Sequence, residues 1–220
     1  MKRVGRFGVA VGLVLFSGSG YFAVSRQSVA PEAIQSSVIQ RSELIDRAWR
    51  LPVATTFRME ITWQSNGSRC GPASVANTFR SLDEQKTTET LVLEGTGKCW
   101  TGICFMGLTL DELADVARAK TRRRITVLRN LTGEEFREHM KRSNDPGRRY
   151  IVNFARDKIF GAGVGHFSPI GGYLKDEDLV FVLDVNEHYK PWLIQRQRLF
   201  SAMDTLDGDK KRGLLLIEDN

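Results

Sequence analysis

The residue of this sequence best suited to do chemistry is a cysteine that stands between a short loop and a helix-forming segment. Cys70 follows the loop Gln64–Arg69 and is followed by Gly71 and Pro72. Proline suits the first turn of a helix, where its missing N–H costs nothing. A cysteine there lies over the positive end of the helix dipole, which stabilises a thiolate. The alternative is a buried structural cysteine at a helix start, because a single cysteine is weak evidence of catalysis.

A hydrogen-bond donor lies upstream of this cysteine in the same loop. The side-chain amide of Gln64 is neutral and could point at an oxyanion that develops when Cys70 attacks a carbonyl group. A donor, a short loop, a cysteine and a helix together predict the nucleophile half of a thiol active site.

A base for this thiol must come from the three histidines of the chain. His139 falls in a charged amphipathic helix and His188 in a turn, which predicts solvent exposure for both. His166 opens an apolar strand, and Asp184 ends the next one, so a hairpin would make them neighbours. A lone histidine in a strand is often structural. The chain order Cys70, His166, Asp184 is nevertheless that of papain-like thiol enzymes, with Asp where Asn is usual.

These four residues have a consistent chemistry. His166 would take or share the Cys70 proton and give a thiolate–imidazolium pair. Asp184 would hold the imidazole tautomer, and Gln64 with the Cys70 backbone N–H would receive the oxyanion. A serine hydrolase is excluded, because no serine lies in a Gly-x-Ser-x-Gly elbow.

The two remaining cysteines, Cys99 and Cys104, are close in sequence. They are expected to form a loop disulfide, which would leave Cys70 unpaired, or to be inert thiols. A soft-metal site comes second, because two thiols without nearby histidines make a poor one. In an alternative function, the chain is a non-catalytic exported module that binds metal or senses redox state through Cys99 and Cys104.

The segments that must position these residues change character midway along the chain. Capping boxes at Thr109 and Thr132 mark two of the helix starts. Helices are expected at 42–49, 73–82, 84–93, 109–117, 132–142 and 199–206, and extended chain at 51–63. Strands are expected at 125–128, 149–154, 166–173, 179–185, 192–194 and 213–217. Helices early and an antiparallel sheet late predict an α+β fold, with a cleft between two lobes.

The start of the chain predicts export. Residues 1–30 combine a basic start, a short apolar run and a small residue at Ala30, as a signal peptide does. This predicts a bacterial periplasm, an oxidising compartment, with an uncleaved inner-membrane anchor as the alternative. The rest divides into a linker with a short helix, 31–50, and a catalytic domain, 51–220. The formal charge is +6, but the basic clusters are short and scattered, so no nucleic-acid partner is expected.

Several further motifs follow one another along this chain: Gln64 with Cys70–Ser74, the histidine block 165–173, and the segments 183–185, 189–192, 202–204 and 211–213. These motifs and their order resemble those of the phytochelatin synthase family. The resemblance covers about 57–218 and implies a papain-like fold, with a helical N-terminal lobe and an antiparallel-sheet C-terminal lobe. It also implies activity on glutathione. Cys70 would release glycine and carry a γ-glutamylcysteinyl thioester, passed to water or to a second glutathione in phytochelatin synthesis.

The resemblance implies further site residues and partners. Arg156 would help to hold substrate, Asp204 would bind the γ-glutamyl amino group, and Arg212 would bind its carboxylate. The alternative for these three residues is surface charge. No cofactor is expected for acylation, and soft metal ions such as cadmium or zinc would enter as glutathione thiolates.

The chain also departs from the plant members of that family. It has an export leader and ends at Asn220 without their cysteine-rich extension. Both features resemble the short bacterial members, which implies that hydrolysis dominates over peptide synthesis. A role in metal-ion response and detoxification is therefore less firmly implied than the acyl-enzyme step. A membrane is expected as partner only through an uncleaved leader, and a homodimer stays open.

Overall fold

The structure, a computed structural model, describes residues 29–99, 101, 103–104 and 107–220. The predicted export leader therefore lies outside the described residues, apart from Val29 and Ala30. Among the helices in the described ranges, none is long and apolar enough to cross a membrane. The helices are α1 Pro31–Ser37, α2 Ser42–Trp49, α3 Pro52–Thr56, α4 Cys70–Arg80, α5 Glu89–Leu93, α6 Leu110–Arg118, α7 Gly133–Arg142, α8 Asp157–Phe160 and α9 Arg196–Met203.

Six strands form one antiparallel sheet, in the order β1-β8-β2-β3-β4-β5, and two short strands form a separate ribbon, β6–β7. The strands are β1 Arg124–Leu128, β2 Arg148–Ala155, β3 Gly165–Leu174, β4 Leu179–Val182, β5 Trp192–Gln195, β6 Leu206–Asp207, β7 Lys210–Lys211 and β8 Leu214–Glu218. The β3–β4 hairpin turns between Leu174 and Leu179, as the sequence predicts, so the end of β4 lies near the middle of β3.

Helices cover both faces of the sheet. Alternate residues of a strand point to opposite faces, so one strand packs against helices on both sides. In β2, Tyr150 and Val152 pack in a cluster with residues of α7 and α9. Ile151, between them, packs in a second cluster with residues of α4 and α6. With both faces covered, the central strands are buried almost throughout. This arrangement confirms the predicted α+β fold.

Local sequence signals located some helices well. The side chains of Thr109 and Glu112 cap α6 reciprocally, and those of Thr132 and Glu135 cap α7 in the same way. The helix predicted at 42–49 is α2. The helix predicted at 84–93 forms only from Glu89, and the one predicted at 199–206 runs instead from 196 to 203.

Three expectations are corrected. Residues 31–37, assigned to a linker, form helix α1, in which Ile34 is buried against the core. Residues 52–56, expected to be extended, form helix α3, which begins at Pro52 and buries Val53 and Ala54. His139, expected to be solvated, is only partly exposed, and its Nδ1 lies 3.1 Å from the Tyr150 hydroxyl. Burial lowers the pKa of His139. His188 is exposed, as predicted.

Candidate active site

The Cys70 thiol is buried at the first turn of α4, where the sequence predicts it. The residue is 7% exposed, and its thiol is free. Helix α4 packs on β3 next to Phe167, the residue after His166. A Cβ at Gly71 would be in ordinary contact with the Phe167 ring, at 3.5 Å, and in tighter contact with Leu113 of α6, at 3.0 Å. Close approach of the helix and the strand is therefore what brings the thiol to the histidine.

The His166 imidazole joins this thiol to a buried carboxylate. His166 Nε2 lies 2.9 Å from Asp184 Oδ1, and Asp184 is fully buried just beyond β4. Because Nε2 is engaged by Asp184, Nδ1 is the ring nitrogen left for Cys70. The imidazole and the thiol interact through charge and a hydrogen bond. The structure thus brings Cys70, His166 and Asp184 together from three distant parts of the sequence.

Burial and charge act in opposite directions on these three groups. Burial alone would raise the pKa of the Cys70 thiol, but the His166 charge and hydrogen bond and the Phe167 N–H hold it below its ordinary value. Burial and the Arg156 charge would lower the pKa of His166, but the neighbouring carboxylate and thiolate raise it. Burial opposes ionisation of Asp184, yet the Arg156 and His166 charges lower its pKa to about 2. These directions favour a thiolate–imidazolium pair.

Arg156 lies against Asp184 instead of in the wall of the cleft. Its Nη2 is 2.9 Å from both carboxylate oxygens, and its guanidinium lies 3.6 Å from the centre of the Tyr189 ring. The Trp192 indole N–H donates to the same carboxylate at 3.2 Å, and the Asn186 backbone N–H donates at 2.9 Å. A buried carboxylate needs a cation, and Arg156 supplies it. The burial of Arg156 excludes the surface-charge alternative, and its expected role in holding substrate stays a prediction.

Gln64 lies near the site, but its amide is turned toward its own loop. Its backbone N–H bonds the carbonyl of Val185 at 2.8 Å, and its Nε2 donates to the carbonyl of Asn66 at 2.8 Å. A side-chain amide carries two N–H hydrogens, so one remains beyond the bond within the loop. Gln64 Oε1 is buried and has no hydrogen-bond partner in the described part of the chain.

A cavity of about 250 Å³ opens beside Cys70, with a polar group on its wall. Arg212 Nη1 lies 3.1 Å from both Asn153 Oδ1 and Asp207 Oδ1. Asn153 Nδ2 donates to Asp207 Oδ2 at 3.1 Å. Gly165 leaves room for the arginine, because a Cβ at that residue would overlap the guanidinium. Arg212 Nε is buried with no hydrogen-bond partner in the described ranges.

The structure does not bring Asp204 into this polar group, and its expected role in binding substrate stays a prediction. Asp204 pairs with Lys211 at 2.7 Å beyond the end of α9 and is absent from the described cavity wall. Asp207, three residues on and held in the β6–β7 ribbon, faces Arg212 in its place. The two aspartates are three residues apart, and the path of the β6–β7 ribbon brings only Asp207 to Arg212. Sequence reasoning therefore missed Asp207 and, on β2, Asn153.

Cys99 and Cys104 are joined in a disulfide with an S–S distance of 2.03 Å. The expected loop disulfide is thus present, and the weaker expectation of a metal site on these two thiols is wrong, because a disulfide offers no thiolate ligands. Within the described residues, no group of three or more histidine, cysteine or acidic residues could hold a metal ion. The backbone N–H of Cys104 donates to Ser68 Oγ at 3.0 Å, so the disulfide segment rests on the Cys70 loop.

Comparisons with known proteins bear on this geometry. A family model described as phytochelatin synthase matches residues 24–214. Glutathione gamma-glutamylcysteinyltransferase 2 of Arabidopsis thaliana is 26% identical over 208 residues, which are 87% of this chain and 46% of that protein. The chain therefore spans less than half the length of this curated relative.

Solved structures show the fold. The peptidase domain of Streptococcus ComA, a bifunctional ABC transporter involved in quorum sensing, aligns with a TM-score of 0.51 at 14% identity. The alignment covers 74% of this chain and 99% of that domain. A C39-like peptidase from Bacillus anthracis aligns with a TM-score of 0.53 at 12% identity, over 74% of this chain and 96% of that one. These likenesses confirm the papain-like fold.

Proposed function

The chain belongs to the phytochelatin synthase family, and from that premise we propose that it is a thiol acyltransferase acting on glutathione. The observation that carries the proposal is the contact of a buried Cys70, its pKa lowered, with an imidazole that is 2.9 Å from buried Asp184. A thiolate next to an oriented imidazolium is the arrangement that thiol-dependent acyl transfer requires. The glutathione gamma-glutamylcysteinyltransferase of Arabidopsis gives the substrate class.

In the first step, the Cys70 thiolate attacks the carbonyl carbon of the cysteinyl–glycine amide. His166 gives its proton to the amide nitrogen, the C–N bond breaks, and glycine leaves as an amine. Cys70 then carries a γ-glutamylcysteinyl thioester. In the second step, water or the amino group of a second glutathione attacks this thioester, His166 takes the proton of the attacking group, and the Cys70 thiolate is restored.

The oxyanion of each step needs donors. We assign them as the Cys70 backbone N–H, at the start of α4, and the amide hydrogen of Gln64 that is not used within the loop. Asp184 keeps the imidazole oriented through Nε2 and stabilises its positive charge. Arg156 does not touch substrate in this scheme. It holds Asp184, and the Tyr189 ring lies against its guanidinium.

The γ-glutamyl head of glutathione carries a carboxylate and an ammonium group, and the polar group beside the cavity matches both. Arg212 would bind the carboxylate, since a guanidinium pairs with it in a two-pronged geometry. Asp207 would bind the ammonium, in place of Asp204. The buried Arg212 Nε, without a partner in the described ranges, supports a carboxylate ligand.

Three finer parts of the proposal rest on the resemblance and the leader pattern. They are export to a periplasm, a bias of the second step toward water, and soft metal ions entering as glutathione thiolates. The metal-binding half of the competing metal or redox module is not supported, because its two thiols form the disulfide, and a redox role of Cys99 and Cys104 stays a prediction.

The test is to incubate the purified chain with glutathione and to measure glycine release and the γ-glutamyl products. We expect glycine release by the wild type and none by Cys70→Ala, because Cys70 is the free thiol of the chain. Far-UV circular dichroism checks that the variant is folded. A wild type that releases no glycine, with or without cadmium or zinc, overturns the proposal.

A further inference from the structure

Glu89 fastens both ends of the loop that carries the proposed oxyanion donors. Its Oε1 accepts the backbone N–H of Ser65 at 2.9 Å, and its Oε2 accepts the Ser65 hydroxyl at 2.5 Å. The same Oε2 lies 3.2 Å from Arg69 Nη1. Ser65 follows Gln64, and Arg69 precedes Cys70. One carboxylate thus receives three hydrogen bonds from the two residues that flank the loop interior.

The carboxylate is itself held in place. Glu89 is the first residue of α5, whose N-cap, Thr88, accepts the backbone N–H of Leu91. Val92 and Leu93 of the same helix are buried. The Glu89 side chain is 10% exposed, so solvent screens its ion pair with Arg69 only weakly. A charged group on a packed helix is a more rigid anchor than one on a loop.

The loop has other ties as well: the Gln64 backbone N–H donates to the carbonyl of Val185 at 2.8 Å, and Ser68 Oγ accepts the backbone N–H of Cys104 at 3.0 Å. Within it, the backbone N–H of Arg69 donates to the carbonyl of Asn66 at 3.2 Å, and the N–H of Ser68 donates to Asn66 Oδ1 at 3.0 Å. These bonds shape the interior of the loop. The Glu89 contacts instead fix the loop to the body of the protein at both of its ends.

We propose that Glu89 is a positioning residue, which holds the Gln64 amide and the Cys70 N–H at the spacing required for the oxyanion. This inference rests on the proposed acyl transfer at Cys70. Glu89 does not belong to the described cavity wall, and its hydrogen bonds go to the two ends of the loop, so it acts through the loop. Loss of its carboxylate leaves the Arg69 charge unpaired and the Ser65 N–H without its acceptor, and the loop ends separate.

The test compares acylation with alkylation of the same thiol. Acylation by p-nitrophenyl acetate passes through an oxyanion, whereas alkylation by iodoacetamide needs only the thiolate. In Glu89→Ala we expect kcat for p-nitrophenolate release to fall by about 10- to 100-fold, with KM changed by less than about 3-fold. The alkylation rate of Cys70 in Glu89→Ala should stay within about 2-fold of the wild type. Glu89→Gln keeps one acceptor oxygen, so its kcat for p-nitrophenolate release should lie between those of the wild type and Glu89→Ala.

Two further variants keep the result decisive if Glu89→Ala does not fold. Ser65→Ala changes an exposed residue. If the Ser65 hydroxyl acts through the Glu89 carboxylate, the change should lower the acylation rate several-fold in the wild-type background but not in the Glu89→Gln background. Glu94→Gln removes the same charge from an exposed residue just beyond α5 and should leave acylation unchanged.

Two outcomes overturn the inference. One is normal acylation by Glu89→Gln and Ser65→Ala. The other is a loss of acylation that is matched by an equal loss of alkylation, which is the mark of general unfolding. Because the ester is not glutathione, the result does not depend on whether glutathione is the substrate. Failure of the proposed substrate and failure of the Glu89 role are therefore distinguishable.

Discussion

The reactivity of the Cys70 thiol depends on a carboxylate that it does not touch. Asp184 is fully buried and accepts hydrogen bonds from four groups: His166, Arg156, Trp192 and the backbone N–H of Asn186. Its negative charge helps to raise the pKa of His166, and the imidazolium in turn lowers the pKa of Cys70. The charge state of the thiol is thus set by a chain of three groups, each in contact with the next.

This chain predicts the pH dependence of thiol alkylation. The pKa of Cys70 is lowered, so the rate with iodoacetamide should rise through a pH range below the ordinary thiol value of about 8.5. In His166→Gln the charge and hydrogen bond that lower this pKa are gone, while burial still raises it. The alkylation rate of this variant should then rise at pH values above the ordinary thiol pKa. Alkylation rates measured between about pH 4 and pH 10 decide the point.

The matched control is His188→Gln, which changes an exposed histidine in a turn and should leave the profile unchanged. The rate of glycine release plotted against pH should be bell-shaped. The leaving amine needs the His166 proton, and this proton is lost as the pH rises through the raised His166 pKa. The two limbs belong to the coupled pair and not to either residue alone. A His166→Gln profile equal to that of the wild type would contradict the assignment.

The sequence alone predicts the three ionisable residues that the structure brings together, but not the charged groups that hold them. Cys70, His166 and Asp184 stand in recognisable local motifs in a known chain order. Arg156 and Glu89 act through partners far along the chain, which nothing local indicates. A sequence can therefore mark the ionisable groups of such a site more easily than the counter-ions that burial makes necessary.

At the scale of elements, the Cys70 loop is held between helix α5 and the disulfide segment. Glu89 contacts it from α5, and the Cys104 backbone N–H contacts Ser68 from the other side. The disulfide between Cys99 and Cys104 closes a loop with a sequence separation of 5 residues. Closing a loop reduces the conformational freedom of the unfolded chain, which stabilises the folded one.

The double variant Cys99→Ser/Cys104→Ser should therefore unfold more easily. For so short a loop we expect the free energy of unfolding to fall by about 2 kcal/mol, measured by urea denaturation. Tris(2-carboxyethyl)phosphine should lower the stability of the wild type by a similar amount and leave the variant unchanged. The variant is the cleaner comparison in activity assays, because glutathione is itself a thiol reductant. A wild type that is indifferent to the reductant would contradict this role of the disulfide.

Element boundaries could be predicted only where the signal is local. Thr109 and Thr132 start their helices through side-chain contacts with residues three positions on, so both starts were predicted correctly. Helices α1 and α3 are too short to be stable in isolation and depend on packing, as the buried Ile34 and Val53 indicate. That packing is with residues distant in sequence, and for this reason the two helices were missed.

At the scale of the whole molecule, the site and a buried arginine that joins the sheet to α3 and α4 lie at opposite ends of β2. His166 pairs with Phe154 near the end of this strand, whereas Arg149 lies at its start. Arg149 is 2% exposed and donates to Ser81 of the α4 terminus, to Thr56 of α3 and to the carbonyl of Pro146. Within the described ranges no carboxylate bonds it, and burial lowers its pKa to about 10.

Arg149→Met should separate stability from catalysis. The change leaves the buried Ser81 hydroxyl and carbonyl and the Pro146 carbonyl without their donor, so we expect the free energy of unfolding to fall by about 2–4 kcal/mol. The acylation rate at 25 °C should be that of the wild type, because about five strand residues, roughly 17 Å, lie between Arg149 and the site.

Arg122→Met, at an exposed residue, is the control and should change stability by less than about 0.5 kcal/mol. Urea denaturation and p-nitrophenolate release measure the two quantities on the same samples. If Arg149→Met lost acylation while keeping its stability, Arg149 would couple helices α3 and α4 to the site and not merely join them to the sheet.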